Sequence, residues 1–487
     1  MNCRQKQMPT FHIEQFGCRA TQADAAAIER QLRAQGHTVA KNPAASEIVV
    51  INTCTVTASA DAQARDAIRK IHAHNPKAKI IATGCYAQRA PEELAALPGV
   101  THVVGNSHKP EIPALIAKIA PPNSIAVPAG FVSMHALAAT TLWSSPKILT
   151  GNIFDRAELL PAPVLGGESN HTRPTLKIQD GCNSRCSYCV IPFVRGKSRS
   201  LPPNEVVEEI RRLSTDGYKE VVLSGINLGT YGRDLQPRVE FADLLRRILD
   251  ETDIARFRIS SIEPLDVTQE LIALFASTPR IAQHFHMPLQ SASDRILAAM
   301  HRWYRAEHYA RRVEFIREHL PHAAIGADVI TGFPGESAED HAATVEFIER
   351  LPFTYLHVFS YSMRPGTKAA ARSNQIPGAT IHSRARELRA LAEKKSAAFR
   401  ESQLNTTQEV LTLRHTRAEN SSSTLDPIAP PNWTPAITSN YLQIRLAGTF
   451  PPNCLLRIKI ARHENGVLHA HPETTPNFAV HRAASHR

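Results

Sequence analysis

The 487-residue sequence contains no run of 18 apolar residues, the length a membrane-spanning helix requires, so no membrane association is expected. The opening stretch MNCRQKQMPTFHIEQ has no apolar signal-peptide core, and the expectation is a soluble cytoplasmic protein. Without a secretory context, the eight cysteines do not read as a disulfide framework and point instead to thiolate chemistry. The paired C-x-x-C…C-x-x-C layout of many structural zinc sites is missing as well. Acidic residues are the minority charge. Lys and Arg number 56 against 45 Asp and Glu, for a net charge of +11 and a pI near 9.4. That balance suits a polyanionic partner without requiring one. The length allows two or three domains with sizeable cores.

What is present is concentrated in Gly181-Cys182-Asn183-Ser184-Arg185-Cys186-Ser187-Tyr188-Cys189, with cysteines spaced C-x-x-x-C-x-x-C. Three thiolates this close can hold three corners of a cubane iron–sulfur cluster and leave the fourth iron without a protein ligand. A metal with an open position can bind a substrate or cofactor. Zinc, which would need a fourth ligand, and an ordinary buried-cysteine turn are the alternatives.

Three more cysteines follow a pattern in residues 9–118. Strands are predicted at 11–16, 48–51, 79–83 and 101–104, with helices after the first near Ile28 and Leu32 and after the second at 58–73. The β-α-β-α-β order implies a parallel sheet with right-handed crossovers. Cys18, Cys54 and Cys85 each stand just past the carboxyl end of a strand, the edge at which open α/β sheets bind ligands. They are expected to converge as a second cluster site, coincidence being the alternative. Cys3 and Cys454 fall outside both patterns.

Residues 119–170 mix Pro, Ala, Ser and Gly and read as a linker with a short hairpin near 131–153. Across 171–405, strands are expected at 175–179, 221–223, 257–260, 284–287, 325–330 and 356–359. The intervening helices fall near 203–215, 241–251, 267–277, 306–319 and 337–350, so six β/α units form an open, partial barrel. Arg195, Lys197 and Arg199 make a compact cationic turn that could hold a phosphate backbone, a solvated basic loop being the alternative. A helix from 383 to 404 leads to residues 406–471, where strands at 408–414, 440–446, 454–461 and 465–469 suggest a small β-barrel of a kind used for RNA. A Ser/Pro-rich insert at 420–435 interrupts it, and 472–487 read as a loose tail.

The cluster loop resembles that of the radical S-adenosylmethionine (SAM) enzymes. In that superfamily SAM binds the open iron and is cleaved to a 5′-deoxyadenosyl radical. The resemblance places Tyr188 near the adenine, simple packing beside the cluster being the alternative. It lets Gly225, after Ser224, admit the methionyl group, lets Glu263 accept ribose hydroxyls, and puts Gln290 in a site-lining loop. The whole arrangement is similar to the methylthiotransferase family, whose members join a three-cysteine domain, a radical SAM barrel and an RNA-binding module. The segments 176–183 (LKIQDGCN), 195–200 (RGKSRS) and 359–367 (FSYSMRPGT) carry that similarity. With 195–199, the segment 224–229 (SGINLG) resembles the branch that methylthiolates carbon 2 of N6-threonylcarbamoyladenosine beside the tRNA anticodon. Many relatives have Asn three residues after the first cysteine, where this chain has Thr21.

The resemblance implies two 4Fe-4S clusters, one on Cys182, Cys186 and Cys189 and one on Cys18, Cys54 and Cys85. It also implies SAM as cofactor, tRNA as partner, a flavodoxin- or ferredoxin-like electron donor, and a monomer. The rival functions are methylthiolation of a ribosomal-protein aspartate and a non-catalytic cluster- or zinc-bearing RNA-binding protein.

Overall fold

The computed structural model describes residues 9–119, 145–155, 163–164, 172–415 and 432–473. Continuous β-branched runs such as Ile48-Val49-Val50-Ile51 form strands buried on both faces, as a parallel sheet covered by helices demands. Six parallel strands lie in the order Thr38–Val39, Thr10–Gln15, Ile48–Thr53, Lys79–Gly84, Val100–Gly105, Lys147–Leu149. Alternate residues feed opposite cores. Val49 and Ile51 pack with Ile68 and Ile80 on one face, while Ile48 and Val50 pack with Ile28 and Leu32 on the other.

The stretch expected to be a linker is partly built into the sheets. Lys147–Leu149 pairs with His102–Val104 at one sheet edge, and Pro163–Val164 pairs antiparallel with Leu176 and Thr175. The described end of the hairpin expected near 131–153 therefore joins the sheet, and residues 131–144 lie outside the described residues.

The barrel strands are Thr175–Lys177, Glu220–Ser224, Arg256–Ile259, His284–His286, Ala324–Thr331 and Tyr355–Ser360. They hydrogen-bond as two parallel groups of three, joined by single bridges at Phe257–Ile281 and Ser261–His286. The first and last are not paired, so the barrel is open, as expected for six β/α units. Its core runs from Leu176 to Leu391.

The C-terminal unit is a closed barrel in the order Thr407–Thr412, Trp433–Thr438, Gln443–Ala447, Val467–Pro472, Leu455–Glu464. Trp433–Thr438 begins inside the stretch expected to be an insert. Pro435 obscures it in sequence, because proline is rare inside strands. The barrel's turn at Asn440-Tyr441 docks beneath the central domain. Arg258 Nη2 and Nη1 donate to the Thr438 and Ser439 carbonyls at 2.9 and 2.8 Å. Glu220 neutralises that arginine, accepting from Arg256 Nε at 2.6 Å and Arg258 Nε at 3.1 Å. Among the described residues no helix is long and apolar enough to cross a membrane.

Candidate cluster and substrate site

Cys182, Cys186 and Cys189 lie on the loop after Gln179–Asp180. Gly181 turns the chain at φ 73°, and a Cβ there would stand 2.0 Å from the Lys197 carbonyl, so a side chain is excluded. The loop is pinned where Cys182 N donates to Gly196 O at 3.0 Å and Ser187 N to Met300 O at 3.0 Å. Burial, reinforced by Cys186, pushes the Cys189 thiol up to about 12. Burial also raises Cys186, although Arg302 Nη1, 3.5 Å from its sulfur, works the other way. Without metal these thiols keep their protons. A bound metal ion would replace them with its own charge.

Cys18 caps the helix Arg19–Ala34, Cys54 follows Ile48–Thr53, and Cys85 opens a short helix after Lys79–Gly84. The sheet sets these three strand ends side by side, and the Cys54 thiol, pushed up to about 12 chiefly by burial, is raised further by Cys85 and Cys18. Gly17, at φ 106°, keeps the approach open, and a Cβ there would lie 2.5 Å from Cys54 Cβ. Thr21 brings its hydroxyl to 3.6 Å from Cys18 Sγ, and Asn106 Nδ2 donates to Cys85 Sγ at 3.5 Å. Among the described residues, the only trio of ligand groups whose atoms all lie within 4.8 Å is His286, Asp328 and His357. Zinc holds thiolates at about 2.3 Å, which puts tetrahedral sulfurs about 3.8 Å apart. Both cysteine trios are therefore wider than a single zinc draws its ligands. Three cysteines at each site are the donor set that a cubane with one open iron takes.

A cavity of about 210 Å³ adjoins the first trio. Tyr188, Cys189, Gln290, Asp328 and Phe359 line it from the barrel, and Val56 and Thr57, just beyond Cys54, close it from the N-terminal sheet. Tyr188 and Gln290 thus share one cavity wall beside Cys189. Gln290 is held at φ 64°, and its carbonyl accepts from Ile330 N at 2.9 Å.

Ser224 and Gly225 lie at the carboxyl end of Glu220–Ser224, but Gly225 serves a neighbour. Its missing side chain makes room for Gln179, whose Oε1 accepts from Ile226 N and Asn227 N at 2.9 and 2.8 Å. Glu263 forms an ion pair with Arg302 beside Cys186.

The cationic turn differs from expectation. Arg195 and Arg199 are buried, and only Lys197 is exposed. Arg195 donates to Asp180 at 2.9 Å and to Asp24 at 3.1 Å, while Arg199 Nη2 donates to the Arg195 carbonyl at 3.0 Å. A phosphate backbone can meet Lys197 there, and not the two arginines.

Asp24 was not singled out in the sequence. Lys109 Nζ donates to it at 2.8 Å, and Lys177 and Arg195 complete the ion pairs. Burial pushes this carboxyl up, but the three cations pull it well below the usual carboxylate range. A lone acid among the buried alanines Ala20, Ala23 and Ala27 of its helix was the available signal. Asp61 is the second such anchor, paired with Arg364 of the barrel and with Arg89 at 3.1 Å.

Residues 10–105 match the uncharacterized protein family UPF0004, and residues 176–348 match the radical SAM superfamily. The chain is 36% identical over 449 residues to the threonylcarbamoyladenosine tRNA methylthiotransferase MtaB of Aquifex aeolicus, spanning 92% of this chain and 99% of that one. The protein of that name from Bacillus subtilis is 32% identical over 91% of each chain. The tRNA-2-methylthio-N(6)-dimethylallyladenosine synthase of Thermobifida fusca is 34% identical over 80% of this chain and 75% of that one. Among solved structures, the radical SAM methyltransferase TsrM of Kitasatospora setae superposes with a TM-score of 0.52 over 75% of each chain. At 17% identity, that likeness speaks for the fold alone.

Proposed function

The chain belongs to the methylthiotransferase family of radical SAM enzymes, and from that premise we propose that it methylthiolates carbon 2 of N6-threonylcarbamoyladenosine in tRNA. The family's chemistry calls for SAM and two 4Fe-4S clusters. On this reading Cys182, Cys186 and Cys189 hold the cluster that takes SAM, and Cys18, Cys54 and Cys85 hold the auxiliary one. When bound, these groups supply the radical and the sulfur that an unactivated aromatic C–H bond requires, since acid–base catalysis does not reach it.

The observation that carries the reading is the shared cavity. Cys189 lines one side, and the segment just beyond Cys54 closes the other. A base seated there lies against Cys189 on one side and against Val56 and Thr57, two and three residues beyond Cys54, on the other. Tyr188 and Phe359 offer rings to a flat base, and Gln290 offers an amide. Cys18 is exposed where its two partners are buried, which leaves the auxiliary site open on one side.

Residues 9–118, 171–405 and 406–471 then act as the auxiliary-cluster domain, the radical SAM domain and an RNA-contacting barrel, with exposed Lys197 beside the cluster loop. We take the working form to be a cytoplasmic monomer reduced by a flavodoxin- or ferredoxin-like protein. Nucleoside analysis of tRNA from a deletion strain tests the substrate. Loss of the methylthio form of threonylcarbamoyladenosine supports the reading, and its persistence refutes it. The ribosomal-aspartate alternative predicts unchanged tRNA and a demethylthiolated ribosomal protein.

A further inference from the structure

Beyond the cavity, the barrel lumen holds a polar group that neither cluster site accounts for. Asp328 Oδ1 stands 3.1 Å from His286 Nε2 and 3.2 Å from His357 Nδ1. The Tyr355 hydroxyl lies 2.9 Å from His286 Nδ1 and 2.7 Å from His284 Nε2. The floor is the Tyr441 ring, inserted from the C-terminal barrel and stacked on His284 at 4.4 Å. These residues come from the last three barrel strands, whose alternate positions face inward. The lumen is open at this level, because the side chains of His357 and Asp328 are 55% and 25% exposed although they lie inside a barrel. Asp328 also lines the cavity beside Cys189, so this group borders that space.

One cation from the N-terminal domain reaches the same place. Arg19, next to Cys18, extends Nη2 to within 3.5 Å of the Tyr441 hydroxyl, and burial, then the charges of Arg258, His286 and Arg19, lower the basicity of His284. Other arginines around the site are committed to carboxylates: Arg195 to Asp24 and Asp180, Arg302 to Glu263, Arg364 to Asp61, Arg258 to Glu220. Among the described residues, no carboxylate lies within ion-pair distance of Arg19. Asp328 orients His357 through Nδ1, which leaves the opposite ring nitrogen for a ligand.

We infer that Arg19 and His357 hold the carboxylate of the substrate's N6 substituent, with His286, Asp328 and Tyr355 positioning His357. The inference deepens the proposed function and rests on it. A threonylcarbamoyl group carries a carboxylate and a hydroxyl, whereas a dimethylallyl group is pure hydrocarbon. A site built of guanidinium, imidazole and phenol satisfies the first. The second would strip those groups of water and give nothing back, which is the strongest basis for rejecting an analogue. Because Arg19 adjoins Cys18, the same contact sets the base against the auxiliary cluster.

The test uses the full chain, anaerobically reconstituted, and anticodon stem-loops carrying threonylcarbamoyladenosine, dimethylallyladenosine or adenosine at one position. Binding is followed by fluorescence anisotropy, and iron content is counted in parallel. The wild type should prefer the threonylcarbamoyl loop. Arg19→Gln and His357→Gln should each lose about tenfold of affinity for that loop, and none for the adenosine loop. Variants that keep wild-type preference with intact iron overturn the inference and leave the proposed function standing. A wild type that favours the dimethylallyl loop overturns the substrate assignment itself. Should Arg19→Gln lower the iron content through its neighbour Cys18, His357→Gln, remote in sequence from every cysteine ligand, decides the matter alone.

Discussion

Replacing Asp24 by Asn removes the negative charge on which three buried cations converge. Lys177 and Arg195 keep Asp180, at 3.0 and 2.9 Å, but Lys109 is left with neutral acceptors alone, Asn52 Oδ1 at 3.3 Å among them. Its ammonium is fully buried, so water cannot replace the lost partner. Breaking a buried pair from one side typically costs about 3–5 kcal/mol, several times an exposed pair. Asp66, paired with Arg69 on the surface at 3.0 Å, supplies the control, and Asp66→Asn should cost at most about 1 kcal/mol.

The pH dependence has a definite sign. Burial already lowers Lys109 in the native protein, and losing Asp24 lowers it further. The folded variant then binds fewer protons than the unfolded chain, so its stability should rise as pH increases toward the ordinary lysine value near 10. Urea midpoints at pH 7 and pH 9, read by circular dichroism with iron content checked, measure both effects. Equal midpoints for Asp24→Asn and Asp66→Asn at pH 7 would refute the claim that this network holds the domains together.

Cys182→Ala should reduce anaerobically counted iron and sulfide from two four-iron clusters to one, and unchanged iron would remove that cysteine from the ligand set. Gly17→Ala forces a Cβ to within 2.5 Å of Cys54 Cβ at a left-handed φ, so it should lose the auxiliary cluster and keep the other, as resolved by Mössbauer counting. Burial pushes Glu220 up, but Arg258, Arg256 and Arg173 hold it well below the usual carboxylate range. Its stabilisation is therefore complete above the unfolded value near 4.3 and is lost as pH falls below it. Acid should expose the junction with the C-terminal barrel to limited proteolysis, and Glu220→Gln should leave that junction labile at neutral pH.

The features legible in the sequence were those carried by local spacing. Cys182, Cys186 and Cys189 occur within eight residues, and Ile48-Val49-Val50-Ile51 states a buried strand by composition alone. Cys18, Cys54 and Cys85 were legible because each ends a strand of one parallel sheet. Arg195 and Arg199 misled because charge on a page does not reveal burial. One of the two carboxylates that hold Arg195 lies 171 residues away, at Asp24. Lys147–Leu149 and Trp433–Thr438 were hidden differently. The first is short and polar-flanked, and the second contains a proline that only its place in a closed barrel makes acceptable. His286, Asp328 and His357 were unreadable as a group, since nothing but strand register brings them together.

The position of the ion pairs follows from what the cavity must do. Each half of the molecule presents its cysteines at the carboxyl ends of parallel strands, so a ligand can reach both trios only if those two edges face each other. Facing edges expose loops and strand ends, not the broad apolar surface that could glue two domains by hydrophobic burial alone. Asp24 with Lys177 and Arg195, and Asp61 with Arg364, supply directional contacts just behind the facing loops. Directionality matters more here than strength, because a slide of one sheet along the other would carry Val56 and Thr57 off the cavity while leaving both cysteine trios intact. Besides adding stability, the two acids set that alignment, and their loss should uncouple the two cluster sites before it unfolds either one.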